Sequence, residues 1–127
     1  MSSPAATPKA AYHRWNDVPH EQVTELLGRR LVTGERIMVA QVELTRGCIV
    51  PKHAHVHEQM TVILEGCLRL KVGDDGAESY DLRAGELISL PCNVPHAAEA
   101  LEDTRVLDVF SPPREDWINR TDEYLRR

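Results

Sequence analysis

Three of the six histidines in this 127-residue chain fall in one short segment, Gly47-Cys48-Ile49-Val50-Pro51-Lys52-His53-Ala54-His55-Val56-His57-Glu58-Gln59. They occupy alternate positions, after a glycine and among β-branched residues. On a strand, residues two apart project to the same side of the sheet. His53 and His55 could therefore aim two imidazoles at one ion, with Gln59 available from the start of the next strand. A nitrogen-rich set with few fixed charges suits zinc, nickel, iron or manganese better than calcium or magnesium. His57 shares the ligand parity but falls at the expected bend, where it reads as a turn histidine or as a group that orients a ligand. Alternation puts Glu58 on the opposite face, as a solvent-facing or interface carboxylate.

Such a set needs a rigid frame, and the sequence supplies short strands to build one. Apolar or alternating runs occur at 36–44 (RIMVAQVEL), 59–65 (QMTVILE), 68–72 (LRLKV), 79–82, 86–90 and 104–110 (TRVLDVF). Their lengths and β-branched content predict strands. Glu65-Gly66 reads as a tight connection, Gly73-Asp74-Asp75-Gly76 as a hairpin turn and Arg83-Ala84-Gly85 as another turn. Many short strands at near-regular spacing predict an all-β sandwich or small barrel. Only the ends read as helical: one short turn within 17–27, and a helix start at Ser111-Pro112-Pro113-Arg114-Glu115-Asp116, with Ser111 as its cap.

The chain has the length of one domain, with a mobile Ser/Pro/Ala-rich tail over 1–10 and a single domain over 11–127. A net charge of −5 without a basic cluster argues against a duplex-binding surface, and no nucleic-acid partner is expected. No apolar run reaches membrane-spanning length, and the first residues lack the basic and apolar regions of a secretory signal. The three cysteines, Cys48, Cys67 and Cys92, form no CxxC pattern. Small core fillers in a reducing cytoplasm are the expectation, with Cys92, four residues before His96, also a candidate neighbour of the ion.

A second segment, Gly85-Glu86-Leu87-Ile88-Ser89-Leu90-Pro91-Cys92-Asn93-Val94-Pro95-His96, ends a strand in a proline-bounded turn before a histidine. Together the two segments resemble the paired motifs of the cupin superfamily, over about residues 35–110. The resemblance implies a double-stranded β-helix, or jelly-roll barrel, with one divalent transition metal ion inside one end. It implies His53, His55, Gln59 and His96 as the ligands. The chain departs from the family pattern at Gln59, where many cupins have glutamate, at Asn93 in place of glycine, and at Ala100 in place of asparagine. Asparagine also tolerates a left-handed turn. Three neutral imidazoles and an amide leave the ion's charge uncompensated, which favours Lewis-acid chemistry on an anionic substrate over oxidised metal states.

The stretches HAHVHEQ, LEG, LPCNVPH and LDVFSPPREDW further resemble the small cupins of the KdgF type, associated with pectin and alginate breakdown. That resemblance implies ring opening and ketonization of 4,5-unsaturated uronates. In it Asp108 is the catalytic group, Phe110 faces the cavity and Arg114 binds the substrate carboxylate. The residues themselves leave alternatives open. Asp108 and Phe110 share one face of TRVLDVF, and an inward carboxylate needs a partner or a function. Asp108 could instead be an edge residue paired with an arginine, Phe110 a core residue, and Arg114 a surface partner of Glu115 or Asp116. A cupin dioxygenase, a polyketide cyclase and a non-catalytic ligand-binding cupin are the competing functions. Small cupins commonly pair through strand edges, so a homodimer is expected.

Overall fold

Ten strands form among the described residues, most plainly at 38–44, where Met38, Ala40, Val42 and Leu44 recur at every second position and the intervening residues tolerate water. In chain order they are β1 (His20–Thr24), β2 (Leu27–Thr33), β3 (Met38–Leu44), β4 (Ile49–His53), β5 (Glu58–Glu65), β6 (Cys67–Val72), β7 (Glu78–Arg83), β8 (Leu87–Leu90), β9 (His96–Ala100) and β10 (Thr104–Ser111). A single 3-10 turn, Trp15–Asp17, precedes them and a four-residue helix, α1 (Glu115–Ile118), follows. The structure, a computed structural model, describes residues 8–126; residues 1–7 of the expected tail lie outside it. No helix among the described residues is long and apolar enough to cross a membrane.

Every strand pair is antiparallel. One sheet has six strands in the order β1-β2-β3-β10-β5-β8, and the other has four in the order β4-β9-β6-β7. The two face each other as a jelly-roll barrel, the all-β architecture expected from the sequence. Burial along β3 and β10 alternates at each residue, which leaves Met38, Ala40, Val42, Val106 and Phe110 inside. These pack with Ile63 of β5, Leu68 and Leu70 of β6, and Leu90 of β8. Each of these side chains larger than alanine contributes about 1.5–3 kcal/mol on burial. The chain passes from one sheet to the other at Gly66, whose φ of 88° and contact with the Asp103 carbonyl leave no room for a side chain.

The ends differ from expectation. Residues 17–27 hold no helical turn beyond Asp17; β1 occupies 20–24 and pairs with β2, His20 opposite Arg30. Neither strand is conspicuous in the sequence, because β2 carries Arg29 inward at 1% exposure, where an apolar residue would mark the pattern. Asp122 and Glu21 neutralise that guanidinium, at 2.8 and 3.0 Å. Ser111 is not a helix cap either: it ends β10, and its hydroxyl donates to the Arg36 carbonyl at 2.8 Å. The residue before α1 is Arg114, whose side chain makes no capping bond. Cys48 and Cys67 are buried as expected, whereas Cys92 is exposed and fills no core.

Candidate metal centre

The pairing of β4 with β9 sets His53 opposite His96, so the first histidine comes from the end of one strand and the last from the start of its neighbour. His55 lies just beyond β4, in the link to β5, rather than on the strand itself. One nitrogen from each of the three can be chosen so that all lie within 4.8 Å of one another. Gln59, the second residue of β5, brings its amide oxygen to 3.0 Å from His55 Nε2. Glu58 is exposed, on the face opposite Gln59.

The backbone fixes the tautomers. His53 Nδ1 faces the Pro51 carbonyl at 2.8 Å, His96 Nδ1 the Val94 carbonyl at 2.9 Å, and His55 Nδ1 the His57 carbonyl at 3.1 Å. A carbonyl only accepts, so each Nδ1 carries the proton and each Nε2 presents a lone pair. His57 thus supports the cluster through its main chain. The turn that supplies the Val94 carbonyl includes Asn93 at a φ of 64°, the left-handed conformation asparagine tolerates. His96 Nε2 is buried with no hydrogen-bond partner among the described residues.

The Gln59 amide is oriented as firmly. Thr61 Oγ1 donates to Asp108 Oδ1, 2.6 Å away, and Gln59 Nε2 donates to Thr61 Oγ1 at 2.9 Å and to Asp108 Oδ1 at 3.4 Å. Its oxygen must then face His55, lone pair against lone pair, a contact that a cation between them relieves. Burial pushes the His53 imidazole down to about 4 and the His55 imidazole down to about 3, so both are neutral near pH 7. Three neutral imidazoles with free Nε2 atoms and one amide oxygen are donors of the kind that divalent transition ions take. The residues fit the group that the cupin pattern implies.

Asp108 projects inward from β10 and is not an edge residue paired with an arginine. Burial pushes its carboxyl up to about 6, against the Thr61 hydrogen bond, the Arg114 charge and the Gln59 hydrogen bond, which lower it. Phe110 belongs to the core at 1% exposure, with its ring 5.9 Å from that of His55. Arg114 is no surface residue: it is 1% exposed and forks onto Asp116 at 2.9 and 2.7 Å. It also donates to the Tyr124 hydroxyl at 2.8 Å, and its guanidinium lies over Phe110, Trp117 and Tyr124. Cys92, exposed, stands apart from the histidine group. A cavity of about 50 Å³ joins His53, Gln59, His96, Asp108, Arg114 and Tyr124.

Sequence reasoning overlooked Thr61 and Tyr124. Thr61 shares strand and parity with Gln59, a signal that was present. Tyr124, stacked on His53 with centroids 4.3 Å apart, arrives from a segment without periodicity, so only the tertiary fold reveals it.

The cupin domain family matches residues 40–110, more than half of the chain, and the chain belongs to that family. Among solved structures, KdgF from Halomonas sp. superposes with a TM-score of 0.79 at 25% identity, covering 86% of this chain and 99% of that one. An RmlC-like cupin from Shewanella frigidimarina NCIMB 400 gives 0.78 at 26% identity, covering 86% and 96%. A Bacillus subtilis oxalate decarboxylase with Mn(II) centres gives 0.74 at 23% identity; the match covers 88% of this chain and 32% of that one, a likeness of fold alone. No curated protein sequence matches the chain.

Proposed function

We propose that the protein is a metal-dependent enzyme that opens the ring of 4,5-unsaturated uronates and converts the product to its keto form. The observation that carries this reading is Asp108: a fully inward carboxyl, raised to about 6, one hydrogen bond from Gln59 and in the same cavity as the histidine cluster. His53, His55, Gln59 and His96 would hold the ion, which supplies Lewis acidity toward substrate oxygens when bound. Zinc, nickel, iron and manganese all suit the donors.

Asp108 is placed to move one proton. In its ionised form it takes the proton of the anomeric hydroxyl; C1=O forms as the bond from C1 to the ring oxygen breaks, leaving an enol oxygen at C5. The same carboxyl then returns the proton to C4, so the reaction is an isomerisation that needs no co-reactant. A group titrating near 6 both accepts and donates at neutral pH. Thr61 and Gln59 hold its Oδ1, leaving the other oxygen to meet substrate. Arg114 supplies the cation for the substrate carboxylate, and Phe110 closes one wall. Likeness to KdgF supports the substrate class.

The test is to load the protein with metal, add unsaturated galacturonate or mannuronate, and follow the loss of enol absorbance. Acceleration over the uncatalysed rate is expected, with Asp108→Asn slower by about 10²–10⁴ at unchanged metal content. No acceleration by fully loaded wild type overturns the substrate assignment. We also propose a homodimer, built on the outer face of the six-stranded sheet, and a reducing cytoplasm, in keeping with three free thiols.

A further inference from the structure

The cavity at the metal cluster measures about 50 Å³, room for a few waters, whereas sites for small organic ligands span about 300–1,000 Å³. A uronate does not fit the molecule as it stands. A groove of about 480 Å³ lies on the surface nearby, lined by Thr24, Leu26, Cys48, Pro51 and Lys52. Three residues line both spaces: Leu27 of β2, and Tyr124 and Leu125 of the strap that follows α1. Leu27 is fixed in the sheet. The strap residues form the removable part of the partition.

Tyr124 fills the space between His53 and Arg114. Its ring stacks on the His53 imidazole, 4.3 Å between centroids and 21° between planes. Its hydroxyl accepts from Arg114 Nη2 at 2.8 Å and from Trp117 Nε1 at 3.2 Å. The arginine donor that an acid's oxygen would use is thus satisfied by a phenol.

The strap is attached by its side chains and not by strand pairing. Its amides bond locally: Glu123 to the Thr121 carbonyl at 3.0 Å, Leu125 to Asp122 at 3.2 Å and Arg126 to Glu123 at 3.1 Å. No strand holds it. Asp122, 2% exposed, is pinned by Arg29, while beyond it Arg126 bonds both Asp122 and Glu21 at 2.9 Å. Opening withdraws Leu125, 6% exposed, from the core and breaks the Arg126–Glu21 contact, so the closed strap is the resting state and the opening a local, infrequent one.

We propose that the strap from Asp122 to Arg126 is the door to the metal cluster, and that Tyr124 determines which acids pass. When Tyr124 and Leu125 withdraw, cavity and groove become one site of uronate size, and the Arg114 Nη2 donor that Tyr124 held is free for a carboxylate while Asp116 keeps the guanidinium in place. The choice of acid rests on the function proposed above; the door does not.

The test compares zinc-loaded wild type, Tyr124→Phe and Tyr124→Ala for the rate at which excess EDTA strips the metal. Tyr124→Ala should lose zinc about tenfold faster, and Tyr124→Phe, which keeps the stack, within about twofold of wild type. Leu82→Ala, a core truncation on β7 away from the strap, controls for general loosening and should stay near the wild-type rate. In metal-free protein, the amides of Leu125 and Arg126 should exchange with deuterium through an opening that leaves β3 and β10 protected. Equal stripping by Tyr124→Ala and wild type, equal acceleration by Leu82→Ala, or strap protection equal to that of β3 overturns the door. If uronates fail to react while Tyr124→Ala still strips faster, the substrate reading fails and the door stands.

Discussion

Gln59 joins the histidines to the carboxyl, with one end of its amide on each. Its oxygen lies 3.0 Å from His55 Nε2 and its nitrogen donates to Thr61 and Asp108. A glutamate has the same reach but no donor, and it adds a second carboxylate beside Asp108. We therefore expect Gln59→Glu to keep the metal, because three imidazoles and a carboxylate form a competent set. Activity should fall at least about tenfold, since Asp108 loses a hydrogen bond and gains a like charge that shifts its proton affinity upward. Elemental analysis of the variant, read beside its rate on unsaturated uronate, checks both halves; complete loss of metal would refute the arrangement. The His53, His55 and Gln59 constellation was legible because its spacing is local. The proton-handling side was half legible: parity turned Asp108 inward, but its hydroxyl partner Thr61 was a strand position read only as β-former.

At the scale of elements, what the sequence hid is as instructive as what it displayed. The run that became β3 showed clean alternation, because water lies on one side of it and aliphatic core on the other. β5 and β10 alternate in burial too, but turn Gln59, Thr61 and Asp108 inward to the cavity and Met60, Val62, Leu107 and Val109 outward. β2 was unreadable for a physical reason: its inward Arg29 is paid for by Asp122, ninety-three residues away, and a pairing across that separation leaves no local pattern. The same cluster predicts an acid response. Burial alone would raise the Glu21 carboxyl, but the hydrogen bond and charge of Arg126 and the charge of Arg29 outweigh it and hold the pKa below 4.5. The folded state therefore binds fewer protons there than the unfolded state, so the contribution is complete above the ordinary value and vanishes as pH falls through the folded one. Glu21→Gln should lower the urea midpoint at pH 6, and the gap from wild type should narrow by pH 3. A gap that is constant or wider at pH 3 would show that the charge of Glu21 contributes nothing.

For the whole molecule, the outer face of the larger sheet carries the remaining information. Register places Val32 beside Val39, Val39 beside Val109 and Val109 beside Met60 in one row across four strands. The next row sets Leu107 beside Val62 and Val62 beside Leu87. Met60 and Leu87 are 44% and 58% exposed, and charges of both signs, Arg30, Glu43, Arg105 and Glu65, border the patch. A border with both signs can meet its own two-fold image with opposite charges facing, which a border of one sign cannot. The edges of the smaller sheet are poorer candidates, since Pro51 interrupts β4 and charged residues populate β7. A second copy of this chain is therefore the occupant proposed for the face, needing about 800 Å² from each partner. Sedimentation at about 0.1 mM should give twice 14.3 kDa for wild type. Leu107→Glu, at the centre of the face and half-exposed in the single chain, should sediment as a monomer with an unchanged circular dichroism spectrum. A wild-type protein of monomer mass, or a Leu107→Glu protein that still pairs, would remove the outer face from consideration and return the edges to it.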